Sequence, residues 1–221
     1  PNKVIIGQVP ESDPRYQNFE EVANLFANTP SAWGMPFEVY RVYTPGAQGY
    51  WGDATPYSNS LILNNKVFVA LTGSEHDAAA IASYQEAMPG YEETGSNKHG
   101  WLDTDALHCR THEITDREML YIRHQPYYGE VQSASGALEF STEIFSYGNH
   151  TIYNDSVLVY IKQGNGEFEP HNLTKTGDNT WTANITGLQS GEIEYYIYAA
   201  DNSGRNECHP YIGAPDPHNF T

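Results

Sequence analysis

Leu61-Ile62-Leu63-Asn64-Asn65-Lys66-Val67-Phe68-Val69 sets two short apolar runs on either side of an Asn-Asn pair. Asparagine tolerates the positive φ that a tight turn requires, so this stretch reads as a β-hairpin. Just after it, Ser74 with Asp77 three residues on resembles a capping box. The helix it opens runs to Met88, where Pro89-Gly90 stops it. The same alternation appears upstream. Val4-Ile5-Ile6 reads as a short buried strand, and Asp13-Pro14 offers an N-cap followed by a first-turn proline. Phe19, Val22, Ala23 and Phe26 then fall at i, i+3, i+4 and i+7, one apolar face of a helix, and Phe37 to Tyr43 alternates as a strand. A further hairpin is expected around Leu107 to Ile122. Strands interleaved with helices predict a mixed α/β architecture for this part of the chain.

The composition changes near Pro126. Beyond it no amphipathic helix is legible; short alternating segments recur at Ala137 to Ile144, Val157 to Lys162, Thr180 to Ile185 and Ile193 to Ala200. Turn signals separate them at Gly164-Asn165-Gly166, Thr176-Gly177-Asp178-Asn179 and Ser190-Gly191. This spacing predicts a β-sandwich of immunoglobulin type over residues 126–221, after an α/β portion over residues 1–125. The aromatic content of Ile193-Glu194-Tyr195-Tyr196-Ile197-Tyr198-Ala199 suits a strand packed on both sides.

The 221 residues carry 28 acidic against 11 basic side chains, a formal net charge of −17. Such a surface argues against nucleic acid or an anionic membrane as partner; it suits a cationic substrate and, more simply, solubility. No run approaches the roughly 18 apolar residues that span a bilayer. The chain opens at Pro1 with neither an initiator Met nor an apolar signal segment, as a processed or truncated chain would. Two cysteines, Cys109 and Cys208, are too few for a disulfide scaffold or a cysteine-based metal site. Because they fall in different predicted domains, two free thiols are expected rather than a bridge between them. Asn-x-Ser/Thr tripeptides at Asn149, Asn154, Asn172, Asn184 and Asn219 lean weakly toward an extracellular setting.

The densest group of reactive side chains is Trp101-Leu102-Asp103-Thr104-Asp105-Ala106-Leu107-His108-Cys109-Arg110-Thr111-His112. A thiol of ordinary acidity is only a few per cent thiolate at neutral pH and needs an activating partner. If Leu107 to Glu113 is a strand, Cys109, Thr111 and Glu113 share one face, while His108, Arg110 and His112 point away. A base for Cys109 should then come from elsewhere. Taken alone, such a cysteine is more often a small buried hydrophobe than a nucleophile.

Thr104-Asp105-Ala106-Leu107-His108-Cys109-Arg110-Thr111-His112-Glu113 nevertheless resembles the C-terminal nucleophile motif of Porphyromonas-type peptidylarginine deiminases. These belong to the guanidino-group-modifying α/β-propeller (pentein-type) superfamily, which also contains agmatine deiminases. Ala32-Trp33-Gly34, Tyr57-Ser58-Asn59-Ser60, Ala87-Met88-Pro89-Gly90-Tyr91-Glu92 and the tail from Tyr195 to Pro217 agree with the same family. The resemblance implies that Cys109 attacks a guanidinium carbon, that Asn59 is the family's active-site asparagine, and that Thr104 helps line the substrate pocket. It implies peptidyl arginine as substrate, citrulline and ammonia as products, no metal or other cofactor, and a secreted or cell-surface setting.

A guanidinium remains charged and is gripped by carboxylates, and its hydrolysis needs general acid and base groups. In the resembling family these are an aspartate and a His-x-Asp pair well upstream of the cysteine. No His-x-Asp occurs in this sequence. Glu75-His76-Asp77 is better explained by helix capping and the helix dipole, and Asp103 and Asp105 by solvated loop carboxylates. About two α/β modules are present where the resembling fold closes a propeller from five. The expectation is therefore a partial propeller whose N-terminal half is a further polypeptide, joined through a large obligate interface. Two alternatives are an agmatine or small-guanidine deiminase and a non-enzymatic secreted binding module. A cysteine peptidase or transglutaminase would need His76, His99 or His124 beside Cys109.

Overall fold

A computed structural model describes residues 2–46, 55–97, 101, 105–133 and 136–221. The chain divides into two compact units, Pro1–Glu113 and Ile114–Thr221. Among the described residues it is mostly β, with two α-helices.

The first unit is built from two βαβ crossovers. β1 (Lys3–Gln8) runs into α1 (Tyr16–Ala27) and returns as β2 (Glu38–Tyr43), parallel to β1, with Ile5 opposite Tyr40. β3 (Leu61–Leu63) and β4 (Lys66–Leu71) form the expected hairpin, and Asn64 takes φ 53° at its turn. α2 (Asp77–Ala87) then carries the chain to β5 (Glu92–Asn97), parallel to β4. Both parallel pairs use a helix to cover the distance that a tight turn cannot.

Burial follows the predicted periods. Val67 and Val69, two apart on β4, share one face and are fully buried with Val42, Tyr57, Ala80 and Tyr84. On α2 the buried residues are Ala80, Tyr84 and Ala87, spaced i, i+4, i+7; the two alanines let the helix lie close to β2, β4 and β5. Of the stripe expected on α1, Ala23 is buried and Phe19 and Phe26 are half-buried, whereas Val22 is exposed. Phe26 meets Phe37 edge-on at 5.3 Å. Phe19 lies where a Cβ on Gly7 would come within 2.9 Å of its ring, so the glycine makes room for the helix.

Several local expectations fail for identifiable reasons. Asp13 does not cap α1; its carboxylate accepts the Arg15 backbone N–H at 2.8 Å and pairs with the Arg15 guanidinium, so the helix starts after Arg15. The Ser74–Asp77 capping box does not form either. Ser74 Oγ accepts the His76 N–H at 3.3 Å, while Asp77 turns back to the preceding loop. β5 was not legible, because Glu-Glu-Thr-Gly-Ser-Asn lacks apolar alternation. It is held by the ladder to β4, and Gly95 leaves room for Leu71, whose Cδ1 would sit 2.3 Å from an added Cβ. No hairpin spans Leu107 to Ile122: His108–Arg110 is one 3-10 turn, and β6 (Leu120–Arg123) pairs with a strand of the second unit. For that reason the second unit begins ahead of the composition change at Pro126.

Among its described residues the second unit forms two antiparallel sheets. One has the order β10 (Thr174–Lys175), β11 (Thr180–Thr186), β7 (Ala137–Ser146), β6. The other has β13 (Asn206–His209), β12 (Ile193–Ala200), β8 (Leu158–Gln163) and β9 (Glu169–Asn172), with β14 (His218–Phe220) also on β12. Phe140, Ile144, Trp181, Val159, Tyr195 and Ile197, drawn from both sheets, form one buried core. β12 buries Ile193, Tyr195, Ile197 and Ala199 on that side. Its other face is only half covered, where Tyr196 stacks on Tyr160 at 4.7 Å and meets Phe168 edge-on. The expectation of packing on both sides thus holds for one face and half-holds for the other.

Candidate active site

The first unit brings Asn59 and Cys109 together across 50 positions of sequence. Asn59 Nδ2 donates to Cys109 Sγ at 3.0 Å, and the Cys109 backbone N–H donates to Asn59 Oδ1 at 3.3 Å. The next N–H back, of His108, donates to the Asn59 carbonyl at 3.4 Å. One asparagine therefore holds the cysteine turn by both ends of its side chain and by its backbone. The thiol is exposed; neither it nor the half-buried thiol of Cys208 is in a disulfide.

Each partner is fixed from below. Asn59 closes a turn in which its N–H reaches the Pro56 carbonyl at 2.9 Å. Tyr57, two residues earlier, is fully buried; its backbone carbonyl accepts the Tyr84 hydroxyl at 2.7 Å. The Tyr57 hydroxyl lies 3.1 Å from Thr72 Oγ1 and 2.9 Å from Ser74 Oγ, and donates to Asp77 Oδ1 at 2.7 Å. Asp77 also accepts the backbone N–H groups of Thr72 at 3.0 Å and Gly73 at 2.8 Å. Burial pushes the Asp77 carboxyl up, but the Thr72 N–H, the Tyr57 hydroxyl and the Gly73 N–H outweigh it and hold the group below its ordinary range. The asparagine loop is thus tied to the loop entering α2 through one charged hub.

On the cysteine side, Ala106 is fully buried and anchors the turn. Arg110 grips Asp105 with Nε at 3.0 Å and Nη2 at 2.5 Å, a fork around the 3-10 turn that contains Cys109. Asp105 is therefore engaged by Arg110 rather than left as a solvated loop carboxylate. The strand expected over Leu107 to Glu113 is absent because no neighbouring strand pairs with it: the amide groups of His108 and Cys109 are spent on Asn59. Strand parity consequently says nothing about His108 and His112. Both are exposed, and among the described residues the hydrogen-bond partner of Cys109 Sγ is Asn59, not a histidine.

Thr104 and Asp103, with His99, lie outside the described residues. His76 sits at the start of α2, edge-on to Tyr43 at 5.4 Å. His124 belongs to the second unit's core, its ring nitrogens 2.7 Å from the Ser141 carbonyl and 2.9 Å from the Tyr195 hydroxyl. Among the described residues, no cluster of three or more His, Cys, Asp and Glu is arranged to hold a metal ion, and no helix is long and apolar enough to cross a membrane. The residues that sequence reasoning missed are Tyr57, Tyr84 and Asp77. Tyr57 stands beside Asn59 in the same short motif, but a buried tyrosine leaves no periodic signal in so short a loop.

Residues 1–114 match the family model for Porphyromonas-type peptidyl-arginine deiminase. The chain belongs to that family. It is 27% identical over 135 residues to a Vibrio parahaemolyticus protein named "Putative agmatine deiminase", covering 52% of this chain and 38% of that protein. A solved structure called "Putative Arginine Deiminase from Porphyromonas gingivalis" overlaps it at TM-score 0.43 and 23% identity, covering 49% of this chain and 33% of that one. An agmatine deiminase of Enterococcus faecalis overlaps at TM-score 0.39 and 20% identity, over 47% of this chain and 35% of its own. The chain thus spans 38% of the length of the curated relative it matches.

Proposed function

We propose that this chain is the thiol-bearing portion of a secreted protein-arginine deiminase, with Cys109 as nucleophile and Asn59 as the residue that positions it. The observation that carries the reading is the Asn59 Nδ2–Cys109 Sγ contact at 3.0 Å. Two residues that the family resemblance names independently are fastened to each other at an exposed sulfur.

The reaction follows from the electronics of the group attacked. The Cys109 thiolate adds to the guanidinium carbon and forms an S–C bond. The tetrahedral adduct then expels one nitrogen, which takes up a proton and leaves as ammonia, so that a thiouronium remains on Cys109. Water adds to the same carbon, the S–C bond breaks, and citrulline departs with its ureido oxygen derived from that water. Asn59 keeps sulfur and backbone in register through both additions, and positioning of this kind is a large part of a rate enhancement. Thr104, in this reading, lines the substrate pocket.

The carboxylates that grip the guanidinium and the histidine that moves protons belong to an N-terminal half of the same enzyme, supplied by further polypeptide. Three features support this. The sequence holds no His-x-Asp. Among the described residues the parallel pair β1–β2 forms a sheet of two strands, although parallel strands ordinarily lie inside larger covered sheets. Leu25 is 63% exposed on α1, and Ile62 and Leu63 are more than half exposed on β3, where an added module of a propeller would cover them. The second unit is, in this reading, an immunoglobulin-like sandwich appended to the catalytic portion.

The test is release of citrulline from benzoyl-arginine and from a peptide containing arginine, with agmatine as the competing substrate, by the enzyme with its upstream half. Cys109→Ser should reduce turnover to the uncatalysed level. Asn59→Ala should cost about 10- to 100-fold in kcat, the range expected when one hydrogen bond to a reactive group is lost. Turnover that survives Cys109→Ser would overturn the assignment, and a preference for agmatine would move the substrate from peptide to small guanidine.

A further inference from the structure

The five Asn-x-Ser/Thr tripeptides lie at Asn149-His150-Thr151, Asn154-Asp155-Ser156, Asn172-Leu173-Thr174, Asn184-Ile185-Thr186 and Asn219-Phe220-Thr221. All five belong to the second unit, and none of the asparagines in Pro1–Glu113 has a serine or threonine two residues on. All five asparagines are exposed.

Their placement in the fold is consistent. On β11 the core residues are Trp181 and Ile185, so Asn184 points to the opposite, outer face. On β14 His218 and Phe220 are buried and Asn219 between them faces out. Asn172 closes β9 immediately before buried Leu173. Asn149 sits in the turn after β7 with φ 56°, and Asn154 opens the single 3-10 turn that follows. None of the five side-chain amides is engaged by another described residue. Asn59 and Asn202, by contrast, spend theirs on structural hydrogen bonds at 3.0 Å. A free, outward amide is what a covalently attached sugar requires, since the folded unit then accepts it without losing a contact.

From this arrangement we propose that the second unit is an N-glycosylated module, with oligosaccharides carried by Asn172, Asn184 and Asn219 on strands of the two sheets and by Asn149 and Asn154 on the connection that follows β7. The donor is a lipid-pyrophosphate-linked oligosaccharide. The C1–O bond to phosphate breaks and its electrons leave with the lipid pyrophosphate; a C1–Nδ2 bond forms as the amide loses one proton. The inference rests on the extracytoplasmic route contained in the proposed function, because the modifying machinery faces that side. It also gives the second unit a role: glycans on two opposed faces make it a hydrated spacer rather than a docking surface. The first unit stays bare, as a surface that must meet a substrate and further polypeptide should.

The experiment is peptide mapping of the protein purified from its own source, after peptide-N-glycosidase treatment in 18O-water, with an enzyme-free control. Cleavage converts each glycosylated Asn to 18O-labelled Asp. Conversion at two or more of the five positions, with faster migration of the treated protein on a gel, is the expected result. Recovery of all five as Asn, or conversion at one alone, overturns the proposal. Citrulline release measured on the same sample reads the deiminase assignment separately, so failure of one leaves the other standing.

Discussion

Cys109 and Cys208 show how differently one residue type behaves in two settings. Cys109 is exposed at the mouth of a turn and bonded to Asn59, whereas Cys208 lies beside Glu207 on β13. Burial, with the Glu207 carboxyl next to it, pushes the Cys208 thiol up to about 11. At pH 7.4 less than about one molecule in a thousand then carries that thiolate, and alkylation proceeds through the thiolate. Limited iodoacetamide at this pH should therefore label Cys109 and spare Cys208, as read by peptide mass; equal labelling of the two would contradict the environments described. The chemical identity of the cluster around Cys109 was legible in the primary structure because reactive side chains crowd into one short segment. The geometry was not. Which group touches the sulfur depends on a loop 50 positions away, and no local pattern records it.

The elements around the site depend on a few side chains that tie one loop to the next. The hydroxyl of Tyr57 is surrounded by Thr72, Ser74 and Asp77, in a position with no access to water. Tyr57→Phe removes that hydroxyl and takes one donor from the Asp77 carboxylate, which keeps the Thr72 and Gly73 N–H groups. Hydrogen bonds to charged groups contribute about 1.5–3 kcal/mol, so a loss of about 2 kcal/mol is expected. It should appear as a lower urea midpoint with unchanged slope, and an unaltered midpoint would show the hub to be dispensable. Strands and helices with strong periodicity were readable in advance: β3 and β4 from their apolar runs and Asn-Asn turn, α2 from its stop signal. β5 and the 3-10 turn at His108–Arg110 were not, since a polar strand is specified by its ladder and the turn by Asn59 and the Asp105–Arg110 fork.

At the scale of the whole molecule, the second unit is specified to be acid-sensitive. His124 and His218 are buried beside a half-buried His209, with His209 Nδ1 at 2.9 Å from His218 Nε2 and the ring of His124 5.7 Å from that of His209. Tyr195 is packed against His124 and His218, and its hydroxyl accepts the Tyr127 backbone N–H. Burial pushes all three down, His124 to about 4, His209 to about 3 with repulsion from His124, and His218 to about 2 with repulsion from His209. In the unfolded chain a histidine titrates near 6.5, so below that pH the unfolded state binds more protons than the folded one. Stability is therefore complete above about pH 6.5 and is lost as the pH falls toward 4. The thermal midpoint should drop between pH 7 and pH 4, and His218→Gln should flatten that dependence; a midpoint constant over this range would refute it. By itself, the sequence determined the α/β-then-β order, the hairpin at Asn64, the alternation of β12 and the family, because each is written in local periodicity or in a contiguous motif. Only the tertiary structure decided that Asn59 grips Cys109, that Asp77 anchors a loop instead of capping a helix, that β6 joins the second unit, and that three scattered histidines meet in its core. These depend on which distant backbone and side-chain groups are left without partners once the sheets have formed, and such pairings are set by packing, not by neighbours along the chain.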